Sequence, residues 1–303
     1  MSICVVGSLN VDVGYRVATM PTPGETVLGS DRTRSFGGKG GNQAVAAAAL
    51  GGRVSFVGAV GDDEPARLYL EHLRRLGIDI DGVATLADAP TGEAVVLVDD
   101  VGENLIVVVS GANGRLEPEE VAARVRAAEA EVVLAQLEVP VAALEAAAAV
   151  LPKAATLVLN PAPMPPLGQG LERLLERVDV LVPNRSELGL LLGRAEPRTL
   201  EQVRACLNDL AFHGVVVVTL GADGAVVSPP HAPVQHVPAP AVDPVDTTGA
   251  GDAFCGALAV GLSRGQTVLD SVCEAVHVAA RSTLHRGAQL VSSADAPPAV
   301  EQP

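Results

Sequence analysis

Tryptophan is absent from this chain, and aromatic residues of all kinds make up 2% of it. A core without large rings must be filled by Ala, Val and Leu, and 48% of the 303 residues are hydrophobic. Lysine is almost as scarce: Lys39 and Lys153 are the only two. With a formal net charge of −15 and no basic run, the chain lacks the positive stripe that nucleic-acid binding needs. Cys4, Cys206, Cys255 and Cys273 show neither C-x-x-C spacing nor histidines at zinc-finger distance. That argues against a disulfide framework or structural zinc and for free thiols in a reducing cytosol. No apolar run reaches membrane-spanning length, and the start ICVV is too short for a signal peptide. The expectation is a cytoplasmic protein with no membrane and no nucleic-acid partner.

Two nucleotide signatures are also missing. The segment VVGSLNVD lacks the G-x-G-x-x-G of dinucleotide enzymes, which removes an oxidoreductase of that kind. RSFGGKGGNQA, residues 34–44, has the glycines and lysine of a phosphate grip but no G-x-x-x-x-G-K-[ST], because Lys39 is followed by glycine. An anionic ligand would be opposed by the bulk charge. Its attraction has to come from a helix N-terminus, a metal ion or one well-placed cation.

What is present is a rhythm of Val-rich runs and Ala/Leu-rich helical segments. Strands are expected at Ile3–Val6, Val54–Val60, Val132–Leu137, Leu157–Leu159, Val178–Val182 and Val215–Leu220. Helices are expected at Gly41–Leu50, Pro65–Leu76, Pro118–Ala128, Val141–Leu151, Ser186–Leu192, Leu200–His213, Ala250–Ser263 and Val268–Arg281. Continuous apolar strands alternating with helices predict an α/β fold, a doubly wound and mostly parallel sheet with helices on both faces. All 303 residues fit one such domain. Residues 11–35 and 91–110 break the rhythm as extended segments with turn signals, and read as a small β-strand lid or as a decorative insertion. The Pro/Ala-rich tail, 292–303, is expected to fray.

The segment with the most chemistry is PVDTTGAGDAFCGAL, residues 244–258. Gly249, Ala250 and Gly251 are small enough for successive backbone amides to converge where a helix begins, and the macrodipole adds positive charge there. Such an anion hole suits a transferring phosphoryl group. Asp252 in the first turn could merely complement the dipole. Beside an anion pocket, however, a carboxylate is better explained as an acceptor for a hydroxyl proton.

DTTGAGDAF resembles the C-terminal signature of the ribokinase-like (PfkB) carbohydrate kinases. GSLNVD, FGGKGGNQA, AQLE, LNPAP, VPNRSE and TLGADG resemble further segments of that family and fall in its order, from residue 3 to 289. The resemblance implies ATP-dependent phosphorylation of a pentose, with D-ribose first and deoxyribose, another sugar or a nucleoside as the alternative. A sugar- or nucleotide-binding protein without catalysis is the reading from another class, and the intact anion hole speaks against it.

By the same resemblance Asn10, Asp12, Gly38, Lys39, Asn42 and Glu138 would bind the sugar, and Asp252 would be the base. Read alone, Asn10 and Asp12 are also turn formers and Glu138 a surface residue. Thr219, Gly221, Gly224 and Gly251 would line ATP, with His277 one residue past the place expected to face adenine. Asn184 and Glu187 would organise Mg²⁺ and the phosphates through water, although N-x-x-E is equally a capping box. Asp246 and Thr248, with Ser282, His285 and Gly287, would hold an activating K⁺. A homodimer joined through the lid is implied as well.

Overall fold

The computed structural model describes residues 2–164 and 170–290. The chain opens with β1 (Ser2–Val6), β2 (Asn10–Val17), β3 (Gly29–Gly37), α1 (Lys39–Ala49), β4 (Arg53–Gly61) and α2 (Glu64–Arg75). It continues through β5 (Asp79–Leu86), β6 (Gly92–Val98), β7 (Asn104–Val109), α3 (Pro118–Ala128), β8 (Val132–Gln136) and α4 (Val141–Val150). Next come β9 (Thr156–Asn160), α5 (Leu171–Leu175), β10 (Val180–Leu181), α6 (Arg185–Leu191) and α7 (Leu200–Asp209). The last elements are β11 (Val215–Thr219), β12 (Ala225–Ser228), β13 (Gln235–Val237), α8 (Ala250–Ser263) and α9 (Val268–Ser282).

Nine strands form one sheet in the order β13-β12-β11-β10-β9-β8-β1-β4-β5. From β11 to β5 every pairing is parallel, and only the β11–β12 and β12–β13 pairings at one edge are antiparallel. Strand residues alternate between two cores. Ile3, Val5, Val54, Phe56 and Leu134 face one side with α1, α2, α8 and α9. Cys4, Val6, Val57, Val133 and Leu159 face the other with α3 and α4. A sheet covered on both faces explains why its strands are apolar throughout. The alanine tracts let helices approach closely: a Cβ at Gly256 of α8 would lie 2.8 Å from Ala46 Cβ of α1.

The two extended segments make a separate four-stranded sheet, β3-β2-β6-β7, in which β2 pairs parallel with β6. Its edge strand β7 leaves Leu105, Ile106, Val107, Val108 and Val109 about half exposed. Among the described residues no helix is long and apolar enough to cross a membrane, and all four cysteines are free. The tail expected to fray lies outside the described residues.

Several boundaries moved. The helix expected over Leu200–His213 ends at Asp209, where Leu210 turns extended (ψ 112°) to bring the chain to β11. The strand expected over Val178–Val182 shrinks to Val180–Leu181. The short helix α5 and the strands β5, β12 and β13 went unforeseen.

Candidate active site

In an open parallel sheet, ligands settle beyond the carboxyl ends of the strands. The polar residues of this chain collect there. Ser8 and Asn10 follow β1, Gln136 ends β8 with Glu138 two residues on, and Asn160 ends β9. Asn184 follows β10 and pairs with Thr219, the last residue of β11. The N-termini of α1 and α8 supply the remaining groups.

Asp252 sits in the first turn of α8 and is 6% exposed. Its two carboxylate oxygens accept from two consecutive residues of α1. Asn42 Nδ2 donates to Oδ2 at 3.0 Å, and Gln43 Nε2 donates to Oδ1 at 3.0 Å. Burial pushes the Asp252 carboxyl above its ordinary range, while the Lys39 charge and the two amides pull it back. Gly249, in left-handed conformation (φ 73°), starts the helix, and no side chain caps it. The Ala250 amide donates to the Thr247 carbonyl at 3.2 Å and that of Ala253 to the Gly249 carbonyl at 2.8 Å. The amides of Gly251 and Asp252 are therefore the helix-terminal donors left for an anion, and Ala250 is not one of them.

Lys39 opens α1, and its backbone amide donates to Glu138 Oε2 at 2.9 Å. The Ser8 hydroxyl donates to the same oxygen. Burial alone would lower the Lys39 ammonium, but the charges of Asp252, Glu138 and Glu187 outweigh it and raise it. Asp12 on β2 is pushed up to about 7, first by burial and then by Glu138 and Asp252. Asn10 Oδ1 accepts from Asn113 Nδ2 at 2.7 Å, and Asn113 is itself locked to the Leu9 backbone. Asp12, Lys39, Asn42, Glu138 and Asp252 thus interact as one polar group, with Gly38 as the N-cap of α1 and Asn10 held beside them by Asn113. Asn42 Oδ1 is buried and has no partner, which suits a hydroxyl donor on a ligand.

On the other side Asn184 and Glu187 make a complete capping box. Glu187 N donates to Asn184 Oδ1 at 2.8 Å, and Asn184 N to Glu187 Oε2 at 2.8 Å. The Glu187 carboxyl is raised by burial, with Lys39 opposing. Among the described residues no group of three or more His, Cys, Asp or Glu is arranged to hold a metal. One carboxylate already engaged in a cap fits a hydrated Mg²⁺ carried on phosphates, not a protein cage. Gly221 and Gly224 bracket a turn closed by Leu220 N to Gly224 O at 2.8 Å, directly after Thr219.

Asp246 joins two loops: Thr248 N donates to its Oδ1 and Gly287 N to its Oδ2, both at 2.9 Å. Burial would raise this carboxyl, but those amides hold it below its ordinary range. The loop that carries Asp246 and Thr248 is thereby tied to the segment that follows α9 and carries His285 and Gly287, with Ser282 the last residue of that helix. A carboxylate and loop carbonyls are the hard oxygens an alkali cation takes, but both Asp246 oxygens here accept from amides and the Ser282 carbonyl accepts from His285 N at 3.3 Å. His277 lies exposed on α9, its Nδ1 against the Cys273 carbonyl at 2.8 Å.

Sequence reasoning missed the neutral amides behind these charges: Gln43, Gln136, Asn160 and Asn113. Ser8 and Tyr69 were missed too. Tyr69 is fully buried, and its hydroxyl donates to the Gly37 carbonyl at 2.7 Å and accepts from Gln289 Nε2 at 3.1 Å. A polar residue closing an apolar strand, as Gln136 closes VVLAQ, needs a buried partner, and that signal was available.

The chain as a whole is similar to known carbohydrate kinases. A family model described as pfkB family carbohydrate kinase matches residues 1–295. The chain is 36% identical to a ribokinase of Schizosaccharomyces pombe, over 95% of this chain and 93% of that protein. It is 35% identical to a deoxyribokinase of Salmonella typhi, over 95% and 94%. The solved structure of Arabidopsis thaliana ribokinase complexed with ribose and ATP is similar at TM-score 0.85 and 32% identity. That likeness covers 95% of this chain and 94% of the other.

Proposed function

Because the chain belongs to the pfkB family of carbohydrate kinases, we propose that it transfers the γ-phosphoryl group of ATP to the primary hydroxyl of a pentose. D-ribose is the leading substrate and D-ribose 5-phosphate the product. One observation carries the reading: a buried carboxylate, Asp252, clasped by two amides at the uncapped N-terminus of α8.

Asp252 takes the hydroxyl proton as the sugar oxygen attacks phosphorus. The free amides of Gly251 and Asp252, aligned with the helix dipole, meet the negative charge of the transferring group. Asn10, Asp12, Gly38, Lys39, Asn42 and Glu138 hold the other hydroxyls, a mixture of donors and acceptors that matches a polyol. Thr219, Gly221, Gly224 and His277 line the nucleotide. Asn184 and Glu187 would hold Mg²⁺ through water, whose charge offsets that of the phosphates. Asp246 and the carbonyls of Thr248, Ser282, His285 and Gly287 would hold K⁺. In this reading the small sheet is a lid that excludes water, and the apolar edge of β7 joins two copies into a dimer in the cytoplasm.

A kinase for 2-deoxyribose is the second reading, favoured by one observation: the deoxyribokinase is as similar to this chain as the ribokinase is. ATP consumption with ribose, 2-deoxyribose, fructose and adenosine, with and without K⁺, separates them. Ribose should turn over fastest, and a faster deoxyribose would reverse the order. Asp252→Asn should lower kcat by about two to four orders of magnitude. Turnover within a few fold of the parent would remove Asp252 from the mechanism.

A further inference from the structure

The carboxylate of Asp252, the proposed base, is held by two amides of α1, Asn42 on Oδ2 and Gln43 on Oδ1. Its own helix offers no side-chain restraint, because α8 starts only two residues earlier and carries no side-chain cap. The restraint comes from outside. Gln43, with no exposed surface, donates from Nε2 to Asp252 Oδ1 at 3.0 Å and toward Asn160 Oδ1 at 3.4 Å. Its own Oε1 accepts from Gln136 Nε2 at 2.6 Å. Asn160 in turn donates to the Val182 carbonyl at 2.9 Å. Gln136 and Asn160 are register partners at the ends of β8 and β9.

The direction of this chain is forced. An ionised carboxylate only accepts, so Gln43 must present its NH₂ to Asp252 and its oxygen to Gln136. Gln136 must then present its NH₂, which leaves its Oε1 buried and unpartnered. That oxygen is pressed against Gly7, where a Cβ would come within 2.0 Å of it. A buried acceptor left without a donor is costly, and the alternative orientation of Gln136 would face two carbonyl oxygens toward each other.

We propose that Gln43, seated on Gln136, is the positioning residue of phosphoryl transfer. Its amide anchors Asp252 to the ends of β8 and β9, so that the carboxylate meets the sugar hydroxyl in one orientation. The proposal rests on the reading of Asp252 as the proton acceptor. Gln43 acts through Asp252 and need not touch the substrate.

The test is steady-state kinetics of the full chain with ribose and ATP from pH 5.5 to 9, on Gln43→Met, Gln136→Met, Gln43→Glu and Asp252→Asn. Other titratable groups that interact with Asp252 are Lys39, Glu138, Asp12, Tyr69, Glu187 and Cys255. All remain in the three glutamine variants, so a changed profile reads the altered bond. Gln43→Met should lower kcat by roughly 10- to 100-fold, the weight of one hydrogen bond to a charged group, with the sugar KM within about threefold. The acid limb of its profile should move up by about one pH unit, since the ionised base has lost a donor. Gln136→Met should do the same more weakly.

Gln43→Glu restores a donor only while that carboxyl is protonated. Its kcat should exceed that of Gln43→Met at pH 6 and fall toward it as the shared proton leaves. A merely structural glutamine would give no such new basic limb. Wild-type kcat and pH profile in Gln43→Met would overturn the proposal, as would a loss matched by KM with the profile unmoved. If Gln43→Met does not fold, Gln43→Glu and Gln136→Met decide by the same criteria. Full activity in Asp252→Asn would instead overturn the underlying reading of the base.

Discussion

Two glycines at the start of α8, two residues apart, should respond to the same substitution in opposite ways. Gly249 has φ 73°, and a Cβ there would lie 2.2 Å from the Ala288 carbonyl oxygen and 2.7 Å from Ala288 Cα. A left-handed conformation costs an L-residue roughly 1–2 kcal/mol. The backbone at Ala288 cannot rotate away as a side chain can, and forcing it aside adds roughly 1–3 kcal/mol. Gly249→Ala should therefore lose about 2–5 kcal/mol of stability. At about 2 °C per kcal/mol for a long chain, Tm should fall by roughly 4–10 °C.

Gly251 has no positive φ, and a Cβ there would meet nothing within 4 Å. Gly251→Ala should leave Tm unchanged or raise it by the helix propensity of Ala, at most about 1 kcal/mol. Yet its methyl group would stand at the free amides where we place the transferring phosphoryl group. Turnover should drop by about 10²–10³, the range for losing one such donor. Thermal unfolding and a coupled ADP-release assay measure both quantities. A stable Gly251→Ala enzyme with turnover close to wild type would refute the anion-hole argument. An unshifted Tm in Gly249→Ala would refute the packing argument.

Three further outcomes follow from the site. The Asp12 carboxyl titrates at about 7 in the fold against 3.8 otherwise, so the folded chain holds that proton more tightly and Asp12 lowers stability as pH rises through this window. The advantage of Asp12→Asn over the parent in urea unfolding should grow by roughly 2–4 kcal/mol between pH 4 and pH 8; a pH-independent difference would contradict the shift. Tyr69→Phe removes the bond to the Gly37 carbonyl and the acceptor for Gln289, and should cost about 1–3 kcal/mol while raising the sugar KM; unchanged stability and KM would show that the bonds are idle. Replacing Ile106 and Val108 on β7 by lysine should yield a monomer by light scattering, and a mass unchanged from wild type would rule out this edge as the dimer contact.

The parts of the fold that could be read in advance are those where local and tertiary signals agree. The helix over Ala250–Ser263 was expected with its observed bounds, because GAG supplies the start and an apolar run the rest. β1, β4 and β8 are continuous Val-rich runs, as two-faced burial demands. β5 hid because DIDGVATL mixes Asp and Gly into an edge strand with only partial burial, and β12 and β13 because three or four residues carry no periodicity. In the site, the charged residues Asp252, Lys39 and Glu138 stood out against apolar or glycine-rich surroundings. Gln43, Gln136 and Asn160 did not, because a neutral amide declares its function only through a partner. Their partners are 22 to 209 residues away along the chain.

The glycine loop shows how charge decides between two readings that motif matching leaves close. A lysine meant for phosphate would wait for its anion, with few carboxylates nearby, since these would repel the ligand it serves. Lys39 already interacts with Asp252, Glu138 and Glu187, strongly enough that its ammonium is raised in spite of burial. Its charge is largely answered before any ligand arrives. The acidic balance of the whole chain, −15, makes further attraction for ATP from the bulk field impossible. The uncapped amides of α8 are neutral donors, and unlike a lysine they cannot be neutralised by the carboxylates around them. In the proposed function the two tasks therefore separate: Lys39 answers the carboxylates of Asp252 and Glu187 beside a neutral polyol, and the helix terminus would receive the phosphoryl group.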